Sequence, residues 1–200
     1  MKLEHIYILN RALDGKDIFS MPSFAALEMS GMTISMYKDA MVEDGLLESH
    51  ASFTDEGLRV AKAILGFKDA KKYISILDIV FGLIDEEAAV MLERTGKEYR
   101  FTVVDTAGAA AQLTGAYGFL SLPCDSWGHG MPVSPEELLQ MYNLDSKNSF
   151  SLVTEKDGAV TKEIVFTDGE GAFVYDCVEG LLYQKGEGGM KALLEERMAI

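Results

Sequence analysis

The hydrophobic period changes after the first third of this 200-residue sequence, and that change limits the folds open to it. Up to residue 65 apolar residues recur at helical spacing. From residue 73 onward they come in short β-branched and aromatic runs or in alternation, the pattern of strands. Helices collected at one end and strands following one another through short turns define an α+β chain with a mainly antiparallel sheet and flanking helices. The expected organisation is a winged-helix-like helical segment over 1–70 and an α+β sheet domain over 71–200, as two units or as one continuous fold.

The helical part reads in order. Leu3, Ile6, Tyr7 and Leu13 share helical spacing before a stop at Asp14-Gly15. A short segment opens at Pro22 and carries Phe24 and Leu27. Thr33 is the expected cap of a helix with Ile34, Tyr37 and Met41 on one face, ended by Gly45. Leu46–Phe53, with its polar Ser49-His50 tip, reads as a small two-stranded wing. Thr54 and the acids Asp55 and Glu56 open another helix, with Leu58, Ala61 and Leu65 predicted on its buried face.

In the second part, Tyr73–Phe81 reads as one buried strand, and Ala88–Thr95 with Glu98–Asp105 as a hairpin across Gly96-Lys97. Residues 106–122 are rich in Ala and Gly and show no clear period. Ser134-Pro135-Glu136-Glu137 is a helix start with the residues of a capping box, and Leu138, Leu139 and Tyr142 follow as its apolar face. Ser149–Glu155, Ala159–Thr167 and Ala172–Val178 form a meander that Leu181–Gln184 extends. Met190, Leu193, Leu194 and Met198 mark a closing amphipathic helix.

Charge narrows the function. The chain holds 18 Lys+Arg and 32 Asp+Glu, a net charge of -14. Binding to a phosphate backbone relies on cations that displace counterions, so nucleic acid is not an expected partner. The helix from Thr33 to Asp44 has one Lys against Asp39, Glu43 and Asp44, a poor composition for a recognition helix. The first twenty residues lack a secretory pattern, and no apolar run approaches the ~20 residues of a spanning helix. A cytoplasmic protein with no membrane insertion is expected.

Candidate chemistry is sparse. Cys124, His129 and Cys177 supply three zinc ligands at most, without a close Cys-x-x-Cys pair. Ser126 and His129 lack a nucleophile elbow. Gly186-Glu187-Gly188-Gly189 precedes a helix but lacks the Gly-Lys-Ser/Thr ending of a phosphate loop. The expectation is a non-enzymatic protein with no metal and no cofactor. Two surfaces remain for binding. One is the cluster of Met29, Met32, Met36 and Met41, which on spacing alone reads more readily as core. The other is residues 106–131, where Tyr117, Phe119 and Trp127 are candidate anchors and Gly115, Gly118, Gly128 and Gly130 permit close approach. The same aromatics also serve to close a core. An acidic rim around either surface would favour a partner with basic flanks.

Gly15–Pro22 (Gly-Lys-Asp-Ile-Phe-Ser-Met-Pro), Gly45–Glu48, Phe53–Gly57 and Ala70–Tyr73 form a succession that resembles an acidic protein family of Gram-positive bacteria. That family is found near type VII secretion loci and is distantly similar to the EspG secretion chaperones. The resemblance covers residues 13–81. It implies a non-enzymatic chaperone or adaptor that holds a helical secretion substrate in the cytosol. The alternative is a winged-helix transcription regulator with a sensing domain at its C-terminal side.

Overall fold

The computed structural model describes residues 1–23, 31–109, 115, 117–122, 125–126, 128–186 and 188–199. Helix α1 (Leu3–Leu13) ends where Gly15 takes a positive φ of 69°. The short segment expected around Phe24 and Leu27 lies outside the described residues. Helix α2 (Gly31–Glu43) is already helical at Gly31, so Thr33 is its third residue and not its cap.

Its end follows a Schellman pattern. The Leu46 N–H donates to the Met41 carbonyl, the Gly45 N–H donates to the Val42 carbonyl, and Gly45 sits at φ 72°. Met41 and Leu46 are both buried in one cluster, the apolar contact that usually accompanies this ending.

Strands β1 (Leu47–Ser49) and β2 (Ser52–Phe53) form the small antiparallel hairpin, and α3 (Asp55–Lys68) follows. Thr54 caps α3 by accepting from the Gly57 N–H at 3.0 Å. The buried face of α3 is not the one expected. Leu58 and Leu65 are 43% and 39% exposed, whereas Val60, Ile64 and Phe67 are buried and only Ala61 fits the expectation. Both stripes have helical spacing. The one carrying Phe67 packs over the sheet, where that ring meets Phe101 edge-on at 5.6 Å.

A nine-stranded antiparallel sheet forms the centre. Its order is β6-β5-β4-β3-β8-β9-β10-β11-β7, with β3 (Lys72–Ile76), β4 (Ile79–Leu83), β5 (Ala88–Thr95), β6 (Glu98–Asp105) and β7 (Met131–Pro132). The others are β8 (Ser149–Lys156), β9 (Ala159–Thr167), β10 (Ala172–Asp176) and β11 (Leu181–Lys185). The single strand expected over Tyr73–Phe81 is therefore a hairpin, with Ile76 opposite Ile79 across Leu77-Asp78. The run contains no Gly or Asn to mark a turn. Leu77 instead adopts a left-handed φ of 54° and is 57% exposed.

A left-handed L-residue costs about 1–2 kcal/mol, and glycine removes that penalty while adding about 0.5–1 kcal/mol of unfolded-state freedom. Leu77→Gly is therefore expected to raise the thermal midpoint by about 1–4 °C in a calorimetric scan. A lower midpoint would show that the exposed side chain makes a contact worth more than the strain.

Alternation along the strands sorts the core onto two faces. Ile74, Ile76, Phe81, Leu83 and Met91 face one cluster, joined by Phe150, Leu152, Val165 and Val174. Helix α5 (Gly189–Met198) covers it with the expected residues Met190, Leu193, Leu194 and Met198. Val80, Val90, Leu92 and Phe101 face the opposite side, under α1, α2 and α3. Further along, Phe166, Phe173 and Tyr175 pack with helix α4 (Pro135–Met141) through Leu138.

The capping box of α4 forms as read, with Ser134 and Glu137 each accepting from the other's N–H. Leu139 is 67% exposed rather than part of the apolar face, because the helix spans only two turns and turns Leu138 to the sheet. In the β5–β6 hairpin Tyr99 and Phe101 are buried as expected, whereas Val103 is exposed on the edge strand.

Candidate functional site

The sequence-selected residues do not assemble into a reactive centre among the described residues. Ser126 accepts a hydrogen bond from the Gly186 N–H at 2.7 Å, while His129 is exposed. Cys124 and Trp127 lie outside the described residues. Burial pushes the Cys177 thiol up, which keeps it protonated and weakly nucleophilic. No group of three or more His, Cys, Asp or Glu is placed to hold a metal among the described residues. In the glycine run, Gly188 takes a left-handed conformation before α5 and the Gly189 N–H donates to the Gly186 carbonyl.

Tyr117 and Phe119 do come together. Both are half-buried, their rings 5.8 Å apart, and they lie 4.6 and 6.2 Å from Phe150 in the core cluster. The Met cluster divides: Met36 is exposed and Met41 fully buried, while Met29 and the Met32 side chain lie outside the described residues.

A groove that sequence reading did not single out lies between α1, α2 and the β1–β2 hairpin. It encloses about 460 Å³. Tyr7 and Ile8 come from α1, Ile34 from α2, and Leu47 and Phe53 from the hairpin, so the lining is largely apolar. Arg11, Lys38 and His50 line it as well.

Short-range chemistry fixes its walls. The Lys38 ammonium donates to the His50 carbonyl at 2.7 Å and ties α2 to the hairpin tip. His50 Nε2 lies 2.6 Å from Asp39 Oδ1, and the Ser49 and Ser52 hydroxyls meet at 2.8 Å. At the hairpin base the Thr54 hydroxyl donates to the Gly45 carbonyl at 2.6 Å. Behind α1, the Lys68 ammonium reaches Asn10 Oδ1 at 2.6 Å and the Asp14 carboxylate, which it holds below its usual range. Asn10 in turn donates to the Lys16 carbonyl. The signal missed in the sequence was positional. Arg11 lies four residues after Tyr7, and Lys38 four after Ile34, so each cation shares a helical side with an apolar residue.

His5 lies one turn before the groove on α1, 1% exposed, with neither ring nitrogen hydrogen-bonded. Desolvation lowers its pKa below 6.5. Asp44, 3.8 Å from Nδ1, and Glu4 oppose that shift, whereas Lys2 and the N-terminal ammonium reinforce it. The Tyr37 ring of α2 packs edge-on against it at 6.3 Å.

A lowered native pKa means that the unfolded state takes up the proton first. Stability is full above pH 6.5 and falls as the pH drops below it, until the native imidazole also titrates. His5→Leu is expected to flatten the fall of denaturant-measured stability below pH 6.5 relative to the parent. Equal slopes for the two proteins would remove His5 as the source.

Among the described residues no helix is long and apolar enough to cross a membrane. The fold and groove define an α+β protein with a helix-and-hairpin cleft beside one half of a large antiparallel sheet. The chain belongs to the DUF5081 family, a domain of unknown function, which matches residues 1–122. That span contains the whole groove and the strands through β6, beneath α1–α3. No curated protein matches the chain.

Proposed function

We propose that the protein is a non-enzymatic chaperone or adaptor that holds an amphipathic helix of a protein partner in the α1–α2–hairpin groove. One observation carries the reading: an apolar cleft of about 460 Å³ bounded by two helices and a hairpin. A helix docks through side chains at i, i+3, i+4 and i+7, and a cleft of this size accepts two or three of them. The resemblance to a family distantly similar to the EspG chaperones makes a secretion substrate the expected partner, met in the cytosol. The groove is a better binding surface than residues 106–131, because Tyr117 and Phe119 already spend part of their ring surface on Phe150.

A photocrosslinking residue at position 34, in the full chain expressed in its native host, tests this. The expected product is a crosslink to one partner within a helical segment, lost in an Ile8→Glu background that remains folded. Partner binding undiminished by that change would overturn the groove as the site.

The helix–hairpin–helix order of α2, β1–β2 and α3 favours a second reading, a winged-helix regulator that binds DNA. In α2, Lys38 is already engaged by the His50 carbonyl and stands beside Asp39 and Glu43. Salt-sensitive, sequence-selective binding of duplex DNA at about 150 mM salt would support this reading against the first.

A further inference from the structure

We infer that the groove selects its partner by negative charge: the occupant is an amphipathic helix that carries carboxylates beside its apolar stripe. This rests on the proposed docking of a helix and adds what kind of helix it is. The chain holds 32 Asp+Glu against 18 Lys+Arg, yet among the described residues no acid lines the groove, and Arg11 and Lys38 do. They stand on different walls, α1 and α2, so a bound helix would pass between two permanent cations.

Among the described residues neither cation forms an ion pair with a carboxylate. Lys38 donates to a backbone carbonyl rather than a carboxylate, and Arg11 makes no ion pair or hydrogen bond among the described residues. Asp39 of α2 reaches the hairpin tip, its Oδ1 2.6 Å from His50 Nε2. This lining points to a partner charge opposite to the basic flanks expected for the Met cluster and residues 106–131.

Net charge does not cancel the effect. Screening limits the reach of distant carboxylates to about 8 Å at physiological salt, so the charges nearest a seated helix weigh most: Arg11 and Lys38 on the lining, against Asp39 behind His50. A duplex, which extends well beyond that length, meets the acidic remainder of the surface.

The probes are three synthetic helical peptides of about 18 residues, or five turns. One has an apolar i, i+3, i+4, i+7 stripe flanked by Glu. The second has the same stripe flanked by Lys, and the third keeps the Glu flanks but replaces the stripe with Ser. Binding to the full chain is read by fluorescence anisotropy. The Glu-flanked striped peptide is expected to bind about tenfold tighter than its Lys counterpart, with a preference that shrinks as salt rises. Arg11→Glu with Lys38→Glu is expected to invert the order. If that double variant fails to fold, Arg11→Gln alone is expected to narrow the preference about threefold.

Equal binding of both striped peptides, abolished by Ile8→Glu, would overturn the charge inference and leave helix docking standing. Binding of no peptide would count against docking itself, and the charge inference would fall with it. Binding of the Ser-substituted peptide as tight as that of the striped one would overturn the inference by showing general attraction to the surface.

Discussion

Gly57→Ala is expected to lower the thermal midpoint by about 6–12 °C, although alanine is the better helix former by about 1 kcal/mol. Gly57 lies in the first turn of α3, where the Thr54 cap receives its N–H. A Cβ there would stand 1.9 Å from the Leu46 carbonyl oxygen and 2.9 Å from its carbon. Both are backbone atoms, and the oxygen is already held as acceptor of the Thr54 N–H at 3.3 Å. Leu46 is also the last residue of the Schellman ending of α2, so it cannot retreat without loosening that helix end.

Overpacking of this kind typically costs about 1–3 kcal/mol, and the backbone location places this case at the upper end. The hairpin would be pushed away from α1, which widens the groove at Leu47 and Phe53. The same variant should therefore weaken peptide binding by more than its loss of stability explains. Thermal unfolding with anisotropy on the folded fraction measures both. A raised midpoint would mean that hairpin and helix are not in the contact described.

What could be read in the sequence were features enforced within one turn or one strand pair. The box at Ser134–Glu137 needs only two side chains three residues apart. The β8–β9 turn needs residues that tolerate positive φ, and Asp157 and Gly158 adopt 52° and 79°. Met190, Leu193, Leu194 and Met198 were identifiable as a buried face because α5 offers no competing apolar stripe.

α3 offers two, and its buried face was decided by contacts with Leu46 and Phe101, residues in other elements. The β3–β4 turn was hidden for another reason: the chain reverses at a leucine, against local preference. The groove was the least legible feature. Arg11, Lys38 and His50 come from three elements, and summing charge over residues 1–65 gives an acidic segment that conceals where its cations meet.

Removal of Arg197 should be the most damaging surface-proximal substitution in the sheet half of the chain. Its guanidinium makes a two-pronged contact with Glu163 of β9, Nε to Oε2 at 3.0 Å and Nη2 to Oε1 at 2.8 Å. Only 5% of the Glu163 side chain is exposed, and it lies on the sheet face that α5 covers, opposite Leu152. The guanidinium is held charged by this contact and by Glu196 at 2.7 Å. At the end of α5 the Lys72 ammonium, lowered in pKa by burial, donates to the carbonyl of the C-cap residue Ala199.

Arg197→Met leaves the glutamate buried without its partner, a loss of about 3–5 kcal/mol, or about 6–20 °C in thermal midpoint. A carboxylate that is both buried and unpaired sets that cost, rather than the attraction it once had. Glu163→Met in the same chain should therefore restore most of the stability, since two apolar side chains pack well beside Leu152. The four proteins of this cycle, measured by denaturant unfolding, separate the two accounts. A double variant as unstable as Arg197→Met alone would place the loss in the packing of α5 itself. Recovery would show that the pair fixes how α5 lies on the sheet while adding little net free energy to holding it there.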